Sequence, residues 1–290
     1  MSDQREVKNS IFNPNMPAGV DPRMPMQSVA DKLKAEFGLD IPTELVPLPS
    51  CGKVYPPEMS LHNQDVVEIR PMTAREEDIL TSRALIKKGT VITELIKACL
   101  VDRSVNTSDL LVGDRNALMM AIRITGYGPD YTTEMDCDEC GSKNQQTFNL
   151  SELPIKKLEI DPVIHGQNVF EFLLPRTKKK VRFKFSTGRD EEEASILAEK
   201  QKKLGLGAET GVTTSLMQSI LSIDGIEDRV KISNFIKFMP AQDSLALRNY
   251  MREHEPGVLM KQETVCPACG NTEEVNMPLG INFLWPSSRR

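Results

Sequence analysis

Apolar residues alternate with polar ones in Val67-Glu68-Ile69 and again in Val181-Arg182-Phe183-Lys184-Phe185, the pattern of strands with one buried and one wetted face. Each predicts the second arm of a β-hairpin. Residues 44–48 pair with 66–69 across a long loop containing Gly52-Lys53-Val54-Tyr55-Pro56-Pro57, and residues 169–175 pair with 180–185 across a short basic turn. Periodicity then changes to that of amphipathic helices. Helices are predicted over 73–88, 91–101 and 114–125 after the first hairpin, and over 187–203, 212–223, 233–238 and 243–253 after the second. Each series ends in strand-forming sequence around a Cys-x-x-Cys-Gly turn.

The two series read as copies of one unit. Thr73-Ala-Arg75-Glu76-Glu77 and Thr187-Gly-Arg189-Asp190-Glu191 both follow an alternating strand, at an offset of 114 residues (187 − 73). Val91, Thr93, Leu95 and Leu100 match Val212, Thr214, Leu216 and Leu221 at an offset of 121 (212 − 91). Asp114, Ala117, Leu118, Arg123 and Gly128 match Asp243, Ala246, Leu247, Arg252 and Gly257 at an offset of 129 (243 − 114), which is also the offset of the cysteine pairs (266 − 137). The register grows only between elements, as insertions in loops make it grow. The expected architecture is α+β, an internally duplicated unit with the two knuckles forming one shared zinc-ribbon-like site. Its predicted parts are an extended arm at 1–42, a first unit at 43–155 and a second at 156–290. Thr73 and Thr187 are expected helix N-caps, with the acids after them favoured by the helix dipole.

The arm carries Asn13-Pro14-Asn15-Met16-Pro17 and Asp21-Pro22-Arg23-Met24-Pro25 with one short helix expected at 28–37, a composition suited to ordering against a neighbour. The chain has 290 residues, 39% of them hydrophobic and 27% charged, enough for a sizeable core. Its charged start and the lack of a long apolar run predict a cytoplasmic protein with no membrane span. A net charge of −5 argues against a main task of gripping phosphate backbones. One basic stripe, Arg176, Lys178, Lys179, Lys180, Arg182 and Lys184, departs from that balance; alternation with Val181 and Phe183 makes it the wet face of a strand, with nucleic-acid contact as the rival reading.

Cys137-Asp-Glu-Cys140-Gly141 and Cys266-Pro-Ala-Cys269-Gly270 carry the strongest chemical signal. Four thiolates from two knuckles fill a tetrahedral zinc shell and leave no place for an activated water, so the expected metal is structural. An iron–sulfur cluster and a redox dithiol are the rivals. Of the remaining cysteines, Cys99 reads as a small buried hydrophobe and Cys51 as a turn residue. His62, His165 and His254 form no metal-ligand spacing, the glycines around 205–211 read as a loop between helices, and no phosphate loop, dinucleotide fingerprint or nucleophile elbow is present. The methionines of residues 117–122 read as the buried side of a helix.

The segment from Val67 to Val91, above all Arg70-Pro-Met-Thr73-Ala-Arg75-Glu76-Glu77-Asp78-Ile79-Leu80, resembles the baseplate hub assembly proteins of T-even-like contractile-tailed bacteriophages. That resemblance covers about residues 43–290. It implies a non-enzymatic virion morphogenesis protein, oligomeric in its assembly, that contacts other hub and tail subunits and the tape-measure end. It also implies a place in the host cytoplasm during assembly and leaves open retention in the virion tail. The alternative function is a zinc-ribbon nucleic-acid-binding regulator using the basic stripe.

Overall fold

The computed structural model describes residues 34, 36–38, 42–203, 211–277 and 281–284. The predicted arm and its short helix fall almost wholly outside these residues, as does the loop predicted around 205–210. Residues from Thr43 onward form one compact unit, and the expected join at 155/156 lies within it.

Strand β1 (Glu44–Pro47) pairs antiparallel with β2 (Val66–Ile69), in register Val46 to Val67. The alternation works as sterics require: Val46, Val67 and Ile69 are buried, while Leu45 and Val66 face out. The loop between the strands turns at Gly52 (φ 66°), where a Cβ would collide with the backbone of Leu61 and Gln64. This loop is tied down by the fully buried Asp114. Its carboxylate accepts the Ser50 amide (2.9 Å), the Ser50 hydroxyl (2.5 Å) and the Tyr55 hydroxyl, and the Tyr55 oxygen accepts the Leu111 amide at 3.1 Å. Burial pushes the Asp114 carboxyl up against the pull of these donors.

Helices α1 (Ala74–Thr81), α2 (Arg83–Lys88) and α3 (Val91–Cys99) follow. The single helix expected over 73–88 is two. At Ser82 the backbone is extended, and the Thr81 hydroxyl bonds the Glu77 and Asp78 carbonyls at 3.3 and 3.2 Å; such local bonding weakens a helix interior. Beyond α3 the chain returns to the hairpin, with the Arg70 amide on the Cys99 carbonyl at 2.8 Å. Helix α4 (Val112–Tyr127) buries Leu118, Met119, Met120 and Ile122. It leads into the hairpin of β3 (Asp130–Asp136) and β4 (Lys143–Asn149).

After β5 (Ile155–Lys156), β6 (Phe170–Leu173) and β7 (Lys180–Phe183) make the second hairpin, and α5 (Gly188–Lys203) follows. The helix predicted over 212–223 is corrected. Helix α6 (Val212–Ser219) stops early, and β8 (Ile220–Ile223) pairs with β7 as the third strand of a sheet. Leu216, Ile220 and Ile223 fit a helical face, but Ile220 and Ile223 are β-branched and lie beside an unpaired edge of β7, so pairing wins. Asp228 caps α7 (Arg229–Phe238), its carboxylate accepting the Val230 and Lys231 amides, so this helix starts four residues before the predicted 233. Helix α8 (Ala241–His254), β9 (Gly257–Val258) and the hairpin of β10 (Lys261–Val265) and β11 (Thr272–Asn276) complete the order, before a last turn, α9 (Ile281–Leu284).

The two halves interlock rather than merely touch. Strand β5 pairs with β9, and Gly113 of α4 lies against Pro256 so closely that a Cβ there would strike the Pro256 carbonyl. Leu111 bridges Thr187, and the Gly188 amide reaches the Leu110 carbonyl at 3.0 Å. The buried Arg115 packs on Gly188 and donates to the Thr93 hydroxyl and the Thr107 carbonyl, each at 3.0 Å.

Thr73 stands at the N-cap of α1 and Thr187 immediately before α5. At the first, the Glu76 carboxylate accepts the Thr73 amide (3.0 Å) and hydroxyl (2.6 Å) and both Arg70 nitrogens (2.6 and 3.2 Å). At the second, Asp190 accepts the Thr187 amide and hydroxyl, each at 2.9 Å, and Lys184 at 2.6 Å. Burial works against the Glu76 charge, yet Arg70 and Thr73 hold its carboxyl down to about 2. A depressed folded value means stability fully present above the ordinary carboxylate range and lost as pH falls from about 4.5 toward 2. Replacing Glu76 by Gln should therefore cost on the order of 2 kcal/mol at pH 7 and flatten the pH dependence of unfolding below pH 5. Urea titrations of both proteins from pH 7 to pH 3 check this; parallel pH profiles would contradict it.

Candidate metal centre

The chain reverses at the tip of each distal hairpin through a tight knuckle. In the first, the Cys137 amide donates to the Ser142 carbonyl (3.0 Å) and the Gly141 amide to the Cys137 carbonyl (2.8 Å). In the second, the Cys266 amide donates to Asn271 and the Gly270 amide to Cys266, both at 2.8 Å. Gly141 (φ 67°) and Gly270 (φ 73°) take the left-handed backbone that the reversal needs, although a Cβ at either would meet open space. Backbone conformation, not crowding, selects glycine there.

These knuckles place four sulfurs from distant parts of the chain within 4.8 Å of one another. Cys137 and Cys269 are 3.8 Å apart, as are Cys140 and Cys266, which lie 126 positions apart in sequence. A disulfide requires about 2.05 Å; four ligands at about 2.3 Å from one tetrahedral ion stand about 3.8 Å apart. The donor set therefore fits one metal ion held by all four thiolates, with Cys137 and Cys266 buried and Cys140 and Cys269 exposed. A metal there would supply cross-linking, since the four sulfurs would complete the shell.

Nearby polar groups favour thiolates. The Ser142 hydroxyl lies 3.0 Å from the Cys140 sulfur and 3.5 Å from that of Cys266, and the Asn144 amide donates toward Cys266 at 3.9 Å. Ser142 together with the backbone amides of Cys269 and Ala268 holds the Cys266 thiol down to about 6, and Ser142 lowers Cys140. Cys269, though the Asn271 amide favours its thiolate, is pushed up to about 12 by desolvation and the adjacent sulfurs. Gln146 joins the hairpins directly, donating to the Val265 carbonyl at 3.1 Å. Sequence reasoning missed Ser142, Asn144 and Gln146. Their signal is a small polar residue two places after a knuckle cysteine and amides at alternate positions of the next strand.

The other candidate residues lie elsewhere. In the basic stripe Lys179 pairs with Asp224 (2.8 Å), Lys180 and Arg182 with Glu171 (2.9 and 3.5 Å) and Lys184 with Asp190 (2.6 Å). The Arg176 and Thr177 amides donate to Asp243, and Lys178 takes a left-handed turn. Acids thus answer four of the six charges. Cys99 is buried and its thiol is pushed up to about 12 by desolvation, and Cys51 sits in the loop turn. His62, His165 and His254 hydrogen-bond Tyr55, Asn63 and Tyr250, away from the thiol cluster.

Fold and site together define a class: a mixed helix-and-strand chain whose two distal hairpins meet at a four-thiol cluster suited to structural cross-linking. The family follows from comparison. A family model described as "T4 bacteriophage base plate protein" matches residues 46–284, and the chain belongs to that family of T4-like phage baseplate proteins. Its role is accordingly that of a structural component of the phage tail baseplate. No curated protein and no solved structure matches the chain. Among the described residues, no helix is long and apolar enough to cross a membrane.

A metal gripped by both hairpins couples its binding energy to folding. Replacing Cys137 and Cys266 together by Ser should lower the melting temperature by on the order of 10 °C. Scanning calorimetry of protein prepared with zinc in the medium reads this directly, and unchanged melting would rule out a bridging metal.

Proposed function

We propose that this protein is a non-enzymatic structural or assembly component of the baseplate hub, built from two copies of one unit and braced by a single structural zinc at Cys137, Cys140, Cys266 and Cys269. The observation that carries the proposal is the convergence of the two knuckles at tetrahedral spacing in a member of a baseplate family. Zinc is favoured over an iron–sulfur cluster because cysteines around a multi-atom cluster stand farther apart than those around one ion.

Local bonding supports the duplication. Arg70–Glu76 and Lys184–Asp190 are ion pairs of equal length, 2.6 Å, at the same offset as the two capping threonines. The Arg70 amide takes the carbonyl ending α3, as the Lys184 amide takes that of Ser219 ending α6 (2.9 Å). Asp114 and Asp243 each anchor the loop of their own unit's hairpin, and both loops carry a non-glycine left-handed residue, Cys51 and Lys178. Units at 43–155 and 156–290 would then pack about a pseudo-twofold axis, with the zinc near it.

Such a scaffold acts by presenting rigid surfaces. Its partners are other hub and tail subunits, including the tape-measure end, met in the host cytoplasm during assembly and retained in the tail baseplate, with residues 1–42 as an added contact arm. The ion pairs along the basic stripe weigh against the nucleic-acid alternative. Quantitative mass spectrometry of purified particles and tail intermediates, with zinc measured on the same fractions, tests the reading. The chain should be present with about one zinc per copy; its absence from both fractions would overturn the assignment.

A further inference from the structure

His62 and His165 stand 103 positions apart in sequence (165 − 62) and meet as a pair, their ring centroids 5.3 Å apart and their planes at 73°. The long loop of the first hairpin carries one ring, and the segment leading into β6 carries the other. Lys53 of that loop pairs with Asp161 at 2.8 Å, and the Lys53 carbonyl accepts the Gly166 amide at 3.0 Å. Gly166 (φ 81°) lets the segments close on each other: a Cβ there would stand 3.1 Å from the Tyr55 carbonyl oxygen and 3.3 Å from Cε1 of His62. Both segments are thus fixed where the histidines meet.

Each ring is also held through one nitrogen. Nδ1 of His62 lies 2.5 Å from the Tyr55 carbonyl oxygen, which can only accept, so in the neutral ring Nδ1 carries the proton and Nε2 keeps its lone pair. Nε2 of His165 lies 2.7 Å from Oδ1 of Asn63, and the same reasoning leaves the lone pair on Nδ1 of His165. One nitrogen donating to a fixed oxygen while the other keeps its lone pair is the arrangement that orients histidine ligands of metal ions. The spacing agrees: with metal–nitrogen bonds of about 2.0–2.1 Å, two imidazoles on one ion have centres roughly 5 Å apart. His165 is exposed and His62 half-buried, so the pair is open to water and to ions.

We propose that His62 and His165 form a second metal site, weaker than the four-thiol one, that takes a borderline divalent transition ion such as Ni²⁺, Cu²⁺ or Zn²⁺ through Nε2 of the first ring and Nδ1 of the second. Among the described residues no third His, Cys, Asp or Glu joins them, so water completes the shell and the ion exchanges freely. Bound there, it ties the loop of the first hairpin to the segment before β6, beside the Lys53–Asp161 pair. Isothermal titration of Ni²⁺ into the full-length protein, loaded beforehand with one equivalent of zinc, tests the site. Native protein and His254→Ala should bind Ni²⁺ alike, and His165→Ala, a change at an exposed position, should weaken that binding at least tenfold, as should His62→Ala. Saturating Ni²⁺ should also raise the melting temperature of the native protein and leave that of His165→Ala unchanged. Native protein and variant carry the same four knuckle cysteines, so the difference between them isolates the imidazoles whatever the thiol cluster holds. Equal Ni²⁺ binding by the native protein and His165→Ala would overturn the proposal. So would the lack of any binding at millimolar Ni²⁺, which leaves the two rings as a stacked pair only.

Discussion

Among the described residues the hairpins β3–β4 and β10–β11 pair with no other strand, and the sulfurs at their tips lie within 4.8 Å of one another. Isolated two-stranded hairpins are marginal in water, and four clustered thiolates repel unless a cation sits among them. The spacing of the four sulfurs could accommodate one metal ion, which would hold the two tips together. The Gln146 bond to Val265 joins the two hairpins directly, beside the register that a bound metal would set.

Everything below the tips prepares that meeting. Pairing of β5 with β9, the close seat of Gly113 under Pro256, and Arg115 threaded against Gly188 fix the bases of the two hairpins in one core. Loop closure grows only slowly in cost with chain length, so 126 positions between Cys140 and Cys266 are a small obstacle once the bases are set. Clasp and core would thus be complementary: the core brings the tips near, and a metal clasp would remove their freedom to splay. For a baseplate protein, which must present fixed surfaces to neighbours, that rigidity is the useful product.

Much of this was legible in the chain because its signals are local. The alternation around Val67 and Val181 gives the hairpin strands, and the knuckle glycines announce their left-handed turns. Where the reading went astray, a local pattern was ambiguous or was overruled from outside. Leu216, Ile220 and Ile223 satisfy a helix and a strand alike, and only the edge of β7 decides. Ser82 breaks a helix whose apolar periodicity runs on without a fault. Of the Ser50–Tyr55–Asp114 network only Asp114, matched by Asp243, carried any signal, since Ser50 and Tyr55 lie more than fifty positions from it and are unremarkable alone. The same holds for Arg115, whose surroundings come from both halves.

The account stands most directly on the identity and shell of the ion between the knuckles. X-ray absorption at the zinc edge, on full-length protein purified without added metal, reads both at once. The expected spectrum is about one zinc per chain with four sulfur ligands near 2.3 Å and no lighter donor. Protein free of zinc, with Cys137 joined to Cys140 and Cys266 to Cys269 as disulfides, would contradict it.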